Sequence, residues 1–251
     1  MNGIDCNCLI GHWPFRKLYK SAFSDIQKIH GEHSISSGYI ASIDSIFYND
    51  PFEGDEELHE QIKGTGYRHV LTVNPQLPGF VRDVKKGIRN FDIKGVRIYP
   101  GYHGYSLGDD NLRVLCEVLR DNDLPLFVSL RMEDERMNYL SKPETIPLKD
   151  IRSFLADRQE NKIVLLTAFY GEVTGLAEDL NRHKQVHFDT SGLKDQLFNI
   201  EKLLTVFSPE KIVYGSLYPL YSFSSTYLEV EKADIGEAAK QTILRAGEGF
   251  L

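Results

Sequence analysis

Apolar residues in this chain fall into short runs, and each run gives way to a polar loop and a stretch of helical periodicity. The runs at 4–9, 38–43, 69–74, 95–99, 125–131, 162–167, 186–189 and 211–215 are rich in β-branched and aromatic residues. That composition suits short strands buried on both faces. Apolar positions recur with helical spacing over 25–33, 53–63, 79–90, 110–119, 148–159, 173–182, 195–207 and 233–246. Strands alternating with helices build parallel βαβ units, so eight units in 251 residues predict an α/β fold, a single-domain (β/α)8 TIM barrel over 1–251. Such a barrel carries its chemistry where strands end and the following loops begin.

The segment 94–110, KGVRIYPGYHGYSLGDD, shows the change from strand to loop most sharply. Strand-like alternation through Tyr99 stops at Pro100-Gly101, and Tyr102, His103, Tyr105 and Ser106 follow before Asp109 and Asp110 open a helix. The corresponding strand ends elsewhere give ten candidate substrate-binding residues: Asp5, Asn7, Arg97, Tyr99, His103, Arg131, Glu133, Asp134, Asp189 and Tyr218. Arg97 and Arg131 have forked guanidiniums suited to a carboxylate or phosphate, and the tyrosines and His103 suit a ring. Their expected arrangement is a pocket lined by both arginines and partly neutralised by Glu133 or Asp134. The competing arrangement, Arg97 paired with one of those acids merely to hold strands together, stays open at this point.

Charge narrows the partners. A net charge of −7 and no basic run argue against nucleic acid or an anionic membrane surface. No apolar run approaches the roughly 20 residues that span a bilayer, and strand-like sequence begins at once, so a cytoplasmic protein is expected. The three cysteines fit a reducing compartment. Cys6 and Cys8, as alternate residues of a strand, are expected to share one face, packed as small hydrophobes against the helix layer. Trp13-Pro14-Phe15 either closes the barrel mouth or packs on another subunit, which leaves a homo-oligomer open.

The segments IDCNCLIGHWPF, KGVRIYPGYHGYSLGDD, PLFVSLRMEDER, KIVLLTAF, VHFDTSGL and KIVYGSLYP, in that order and spacing, resemble the amidohydrolase-related (amidohydrolase 2 type) family of metal-dependent hydrolases and decarboxylases. The resemblance covers nearly the whole chain and implies the same barrel. It also implies a metal centre with a His-x-His pair after strand one, single histidines after strands five and six, and an aspartate after strand eight. Those positions here hold Asn7, Leu9, Ser129, Thr167 and Leu217, none a useful zinc ligand. The expectation is therefore a chain with no metal and no other cofactor, in which metal activation of water is lost. The implied activity is hydrolysis or decarboxylation of a small carboxylated or cyclic molecule, with no catalytic residue assigned. The alternative is a non-catalytic descendant that binds a small anion or a protein partner at the barrel mouth.

Overall fold

The computed structural model describes residues 3–134, 143–193 and 198–250. Its parallel strands are β1 (Gly3–Ile10), β2 (Ile35–Ser42), β3 (Arg68–His69), β4 (Leu71–Thr72), β5 (Val96–Ile98), β6 (Leu126–Ser129), β7 (Ile163–Leu166), β8 (Val186–Asp189) and β9 (Ile212–Val213). Pairing runs β1-β2-β3 and then β4 through β9 in sequence order. The strands β3 and β4 are two halves of one barrel position: the Val70 amide donates to the Ile40 carbonyl at 2.9 Å, while the Leu71 amide donates to Gly95 at 3.0 Å. The ring closes beyond β9, where Cys6 donates to Tyr214 at 2.8 Å, Leu217 to Asn7 at 2.7 Å and Leu9 to Tyr218 at 2.9 Å. The predicted (β/α)8 barrel is the observed fold.

Two apolar layers hold the barrel together. Val96, Ile98, Leu126, Val128, Ile163, Leu165 and Phe188 face the helices, whereas Tyr99, Phe127, Val164, Leu166 and Val213 fill the interior. Burial on both faces is why the strands read as unbroken apolar runs, and each such side chain contributes about 1.5–3 kcal/mol through its removal from water. None of the helices among the described residues is long and apolar enough to cross a membrane.

Helix positions follow the periodicity with local differences. The stretch 173–182 is interrupted at Leu176, giving Tyr170–Gly175 and Ala177–Arg182. The helix expected over 195–207 is described only as Asn199–Leu203, and Leu197 of its apolar stripe lies outside the described residues. Residues 135–142, which follow Glu133 and Asp134 in sequence, lie outside them as well. The helix Phe223–Glu231 has no counterpart among the expected elements, because FSSTYLEVE combines poor helix formers with β-branched residues. Its burial of Phe223 and Val230 overrides that local preference.

Strand β1 departs from simple alternation, and its pairing with β2 shifts register between Asp5 and Cys8. Ile4 and Cys6 face the interior while Asp5 points outward to His30 on the helix Phe23–Glu32. Asn7 then follows Cys6 inward, and Cys8 turns out into the helix-side core. One extra residue on a strand has this effect. Cys6 and Cys8 therefore occupy opposite faces, contrary to the alternation expected from sequence.

Candidate active site

Strand alternation determines where Arg97 goes. Its neighbours Val96 and Ile98 face the helices, so Arg97 projects into the barrel, where it is only 2% exposed. Its Nε donates to Ser129 Oγ on β6 at 2.8 Å, and Nη2 reaches Met132 Sδ at 3.6 Å. The guanidinium carbon lies 5.1 Å from the centre of the Tyr99 ring. Among the described residues no carboxylate accepts a hydrogen bond from Arg97, and the acid whose carboxyl it pulls on is Asp189. A buried cation in that condition is costly and favours an incoming anion.

Facing it is a second polar group. Asn7 Nδ2 donates to Asp189 Oδ2 at 2.7 Å and lies 3.2 Å from Ser191 Oγ. Ser191 Oγ donates to the same carboxylate at 2.8 Å, and the Thr167 amide donates to Asp189 Oδ1 at 2.6 Å. Burial raises the Asp189 carboxyl from its ordinary 3.8 to about 6, against the opposing pull of those bonds and of Arg97. Asn7 Oδ1 is buried with no partner among the described residues. Thr167 sits at φ 60° and Leu217 at φ 51°, both in the left-handed region that side chains avoid. Such strain gathers at functional strand ends.

The other candidates are dispersed. Arg131 forks onto Glu172, with Nη1 to Oε2 at 2.8 Å and Nη2 to Oε1 at 2.5 Å, and stacks over Phe169. Glu133 accepts from Arg16 Nε at 3.1 Å, and Arg16 Nη2 donates to Leu220 O at 2.7 Å, which ties the first loop to the sixth strand's loop. Asp134 helps burial raise the Tyr221 hydroxyl's pKa. His103 Nε2 donates to Ile46 O at 3.0 Å, and burial lowers its pKa, so it is a neutral strut between loops. Tyr99 lies fully buried beside Arg97. Tyr218 packs on Phe223 in the helix-side core, and Asp5 lies outside the strand layer, so neither belongs to the interior group. Over the mouth, Trp13 makes edge contacts with Phe15, Phe47 and Tyr102 at 5.4–5.7 Å between ring centres.

The expectation built from single residues overlooked their partners. Thr167 and Ser191 stand among the polar residues that sequence places at the strand ends, and the structure adds their pairing with Asp189. His30 is a buried polar residue on the inward stripe of its helix, next to Ile26. A histidine on an otherwise apolar stripe was the available signal.

Neither a protein-family model nor a curated protein sequence matches the chain. Solved structures do. A TIM-barrel protein of Bordetella bronchiseptica superposes with a TM-score of 0.76 at 12% identity, covering 100% of this chain and 98% of that one. A dihydroxybenzoic acid decarboxylase of a Polaromonas species, with bound manganese and the inhibitor 2-nitroresorcinol, gives 0.73 at 13% identity, covering 100% and 97%. A 5-carboxyvanillate decarboxylase of Sphingomonas paucimobilis gives 0.72 at 12% identity, covering 97% and 96%. The chain has the TIM-barrel fold of these proteins.

The expectation of no cofactor needs correction. One of these structures of the same fold holds manganese, and in this chain Asp5, Cys8 and His30 bring three ligand atoms within 4.8 Å of one another. Both observations point to a metal. Strict alternation puts Cys8 on the same face as Cys6 and opposite Asp5, whereas the register shift in β1 brings Cys8 together with Asp5 and His30. The usual strand-end positions do not fit an ion: Leu9 and Leu217 have no lone pair, Asn7 and Thr167 belong to the Asp189 network, and Ser129 receives Arg97. The fitting donors lie one layer further out, on the helix side of β1.

Proposed function

We propose that this amidohydrolase-type barrel is a decarboxylase or hydrolase of a small, ring-bearing carboxylate, bound at Arg97 and acted on by Asp189. The observation that carries the proposal is the buried, interior Arg97 with no hydrogen-bonded carboxylate among the described residues, close enough to Asp189 to pull on a carboxyl that burial raises to about 6. The decarboxylases among the structures of similar fold support the substrate class. At the strand ends where the resemblance implies imidazole and carboxylate donors, this chain has Asn7, Leu9, Ser129, Thr167 and Leu217.

The chemistry follows from the two charges. A firm grip on the carboxylate that leaves would stabilise the starting state and oppose release of neutral CO2. Arg97 therefore suits an acidic group that the ligand retains, such as a second carboxylate or a phenolate. Asp189, kept protonated by burial below about pH 6, gives its proton to the ring carbon as the carbon–carboxylate bond breaks. The bond's electron pair forms the new carbon–hydrogen bond, CO2 leaves, and a proton taken up from solvent restores the Asp189 carboxyl. In hydrolysis the same carboxylate acts as base toward water. Asn7 Oδ1 accepts from a ring hydroxyl.

Isothermal titration with 2,6-dihydroxybenzoate and 5-carboxyvanillate tests the reading, alongside turnover followed by CO2 release. Binding that is lost in Arg97→Met supports it. Unchanged binding in that variant, or no binding of any carboxylate tried, defeats it.

A further inference from the structure

We infer that Asp5, Cys8 and His30 form a buried site for a borderline-soft divalent cation of the zinc class, set in the barrel wall between β1, β2 and the helix Phe23–Glu32. This inference is independent of the substrate reading, since the cluster lies on the opposite face of β1 from Asn7.

Four observations carry it. First, a regular strand would send residues 5 and 8 to opposite faces, because side chains alternate. The irregularity in β1 brings Asp5 and Cys8 to the same outer face, with their ligand atoms and that of His30 within 4.8 Å. Bulges of this kind re-aim side chains near functional sites. Second, all three residues are fully buried, with Asp5, Cys8 and His30 each at 0% exposure. A carboxylate, a thiolate and a neutral imidazole carry two negative charges, which match one dication and leave the interior neutral.

Third, the ligand atoms are already oriented from behind. Asp5 Oδ2 and His30 Nε2 stand 3.2 Å apart, a spacing compatible with two ligands of one ion. His30 Nδ1 is held by the Tyr67 hydroxyl at 2.8 Å, the outer support a metal-bound imidazole usually has. The Ser216 amide and hydroxyl both donate to the Asp5 carboxylate. Fourth, Gly38 leaves room. A Cβ there would lie 2.8 Å from Cys8 Sγ, 3.0 Å from the Asp5 carbonyl and 3.4 Å from the His30 ring.

The donor set also selects the ion. Thiolate with imidazole suits zinc, whereas manganese prefers oxygen and nitrogen donors. Cys8 Sγ currently donates to Tyr39 O at 3.3 Å, and losing that proton on metal binding frees it to ligate. The ion would clamp the two outward residues on either side of Cys6 and Asn7, and so fix the inward turn that presents Asn7 to Asp189.

The full chain, stripped with chelator and titrated with Co2+, gives the test. The expected result is uptake of one ion per chain with thiolate-to-cobalt charge-transfer absorption, competed away by Zn2+ and accompanied by a higher melting temperature. That absorption should vanish in Cys8→Ser and persist in Cys6→Ser and Cys116→Ser. The inference is overturned if the wild-type chain takes up no Co2+, if bound Co2+ shows no thiolate absorption, or if the absorption survives Cys8→Ser. Should Cys8→Ser fail to fold, Gly38→Ala serves instead: crowding Cys8 Sγ should weaken Co2+ uptake at least tenfold, and unchanged uptake counts against the site. Arg97→Met should leave the cobalt signal untouched, which separates this test from that of the substrate reading.

Discussion

Glu172 takes both ends of the Arg131 fork, at 2.8 and 2.5 Å, and the same carboxylate accepts the Phe169 amide at 2.8 Å. One of the two mouth arginines is thereby committed to structure: it joins the sixth strand's loop to the start of the helix Tyr170–Gly175. Replacing Glu172 by Gln should lower unfolding stability by about 2 kcal/mol, the loss expected for charge-assisted hydrogen bonds in a partly screened pair. Urea denaturation measures this, and an unchanged midpoint would refute the structural assignment.

Arg97 should behave in the opposite way. Arg97→Met removes a buried charge that no carboxylate hydrogen-bonds among the described residues, so the ligand-free protein should melt at an equal or higher temperature. The same change should weaken binding of a ring carboxylate by about 1.5–3 kcal/mol. Calorimetry of both properties decides the matter: a variant that loses stability and keeps its affinity would make Arg97 a structural strut.

Acid dependence follows from Asp189. Its folded value of about 6 exceeds the ordinary 3.8, so the native chain holds the proton more tightly than the unfolded chain between those limits. The stabilising contribution is complete below about pH 4 and is lost as pH rises through about 6, a change of up to ~3 kcal/mol. Urea midpoints taken across that window should fall in the wild type and fall less in Asp189→Asn. Parallel curves for the two proteins would show that Asp189 is not the group responsible.

Gly192 gives a steric test of the same strand ends. A Cβ at this position would stand 2.2 Å from the Ala168 carbonyl oxygen, and backbone cannot yield as a flexible side chain can. Gly192→Ala should cost about 3 kcal/mol or more and displace Ser191 from Asp189. Thermal melting at neutral pH reports the first effect. Wild-type stability in the variant would mean that the two loops are not packed as described.

The barrel was legible because each strand is buried on both faces and so carries an apolar run, while each helix shows its own period. Arg97 could be placed inside by counting from Val96 and Ile98. What sequence could not give was pairing. Glu172 lies far along the chain from Arg131, and Arg16 far from Glu133, so nothing local marked them as partners. The Asp5–Cys8–His30 cluster escaped for a different reason: it depends on a register shift, and strict alternation places Asp5 and Cys8 on opposite faces. The helix Phe223–Glu231 was hidden by its two serines and one threonine, whose preferences burial overrides.

The polar knot of Asn7, Thr167, Asp189 and Ser191 also bears on the paths open to mutation. Each member satisfies another, so introducing histidine at Asn7 alone would leave the Asp189 and Ser191 oxygens short of a donor, at about 1–3 kcal/mol for each buried group abandoned. Introducing histidine at Ser129 would likewise deprive Arg97 of its only oxygen acceptor among the described residues. Single substitutions toward a histidine-lined strand end therefore lead downhill in stability before any ion could compensate. The interior works as a lock, and only several simultaneous replacements could open it.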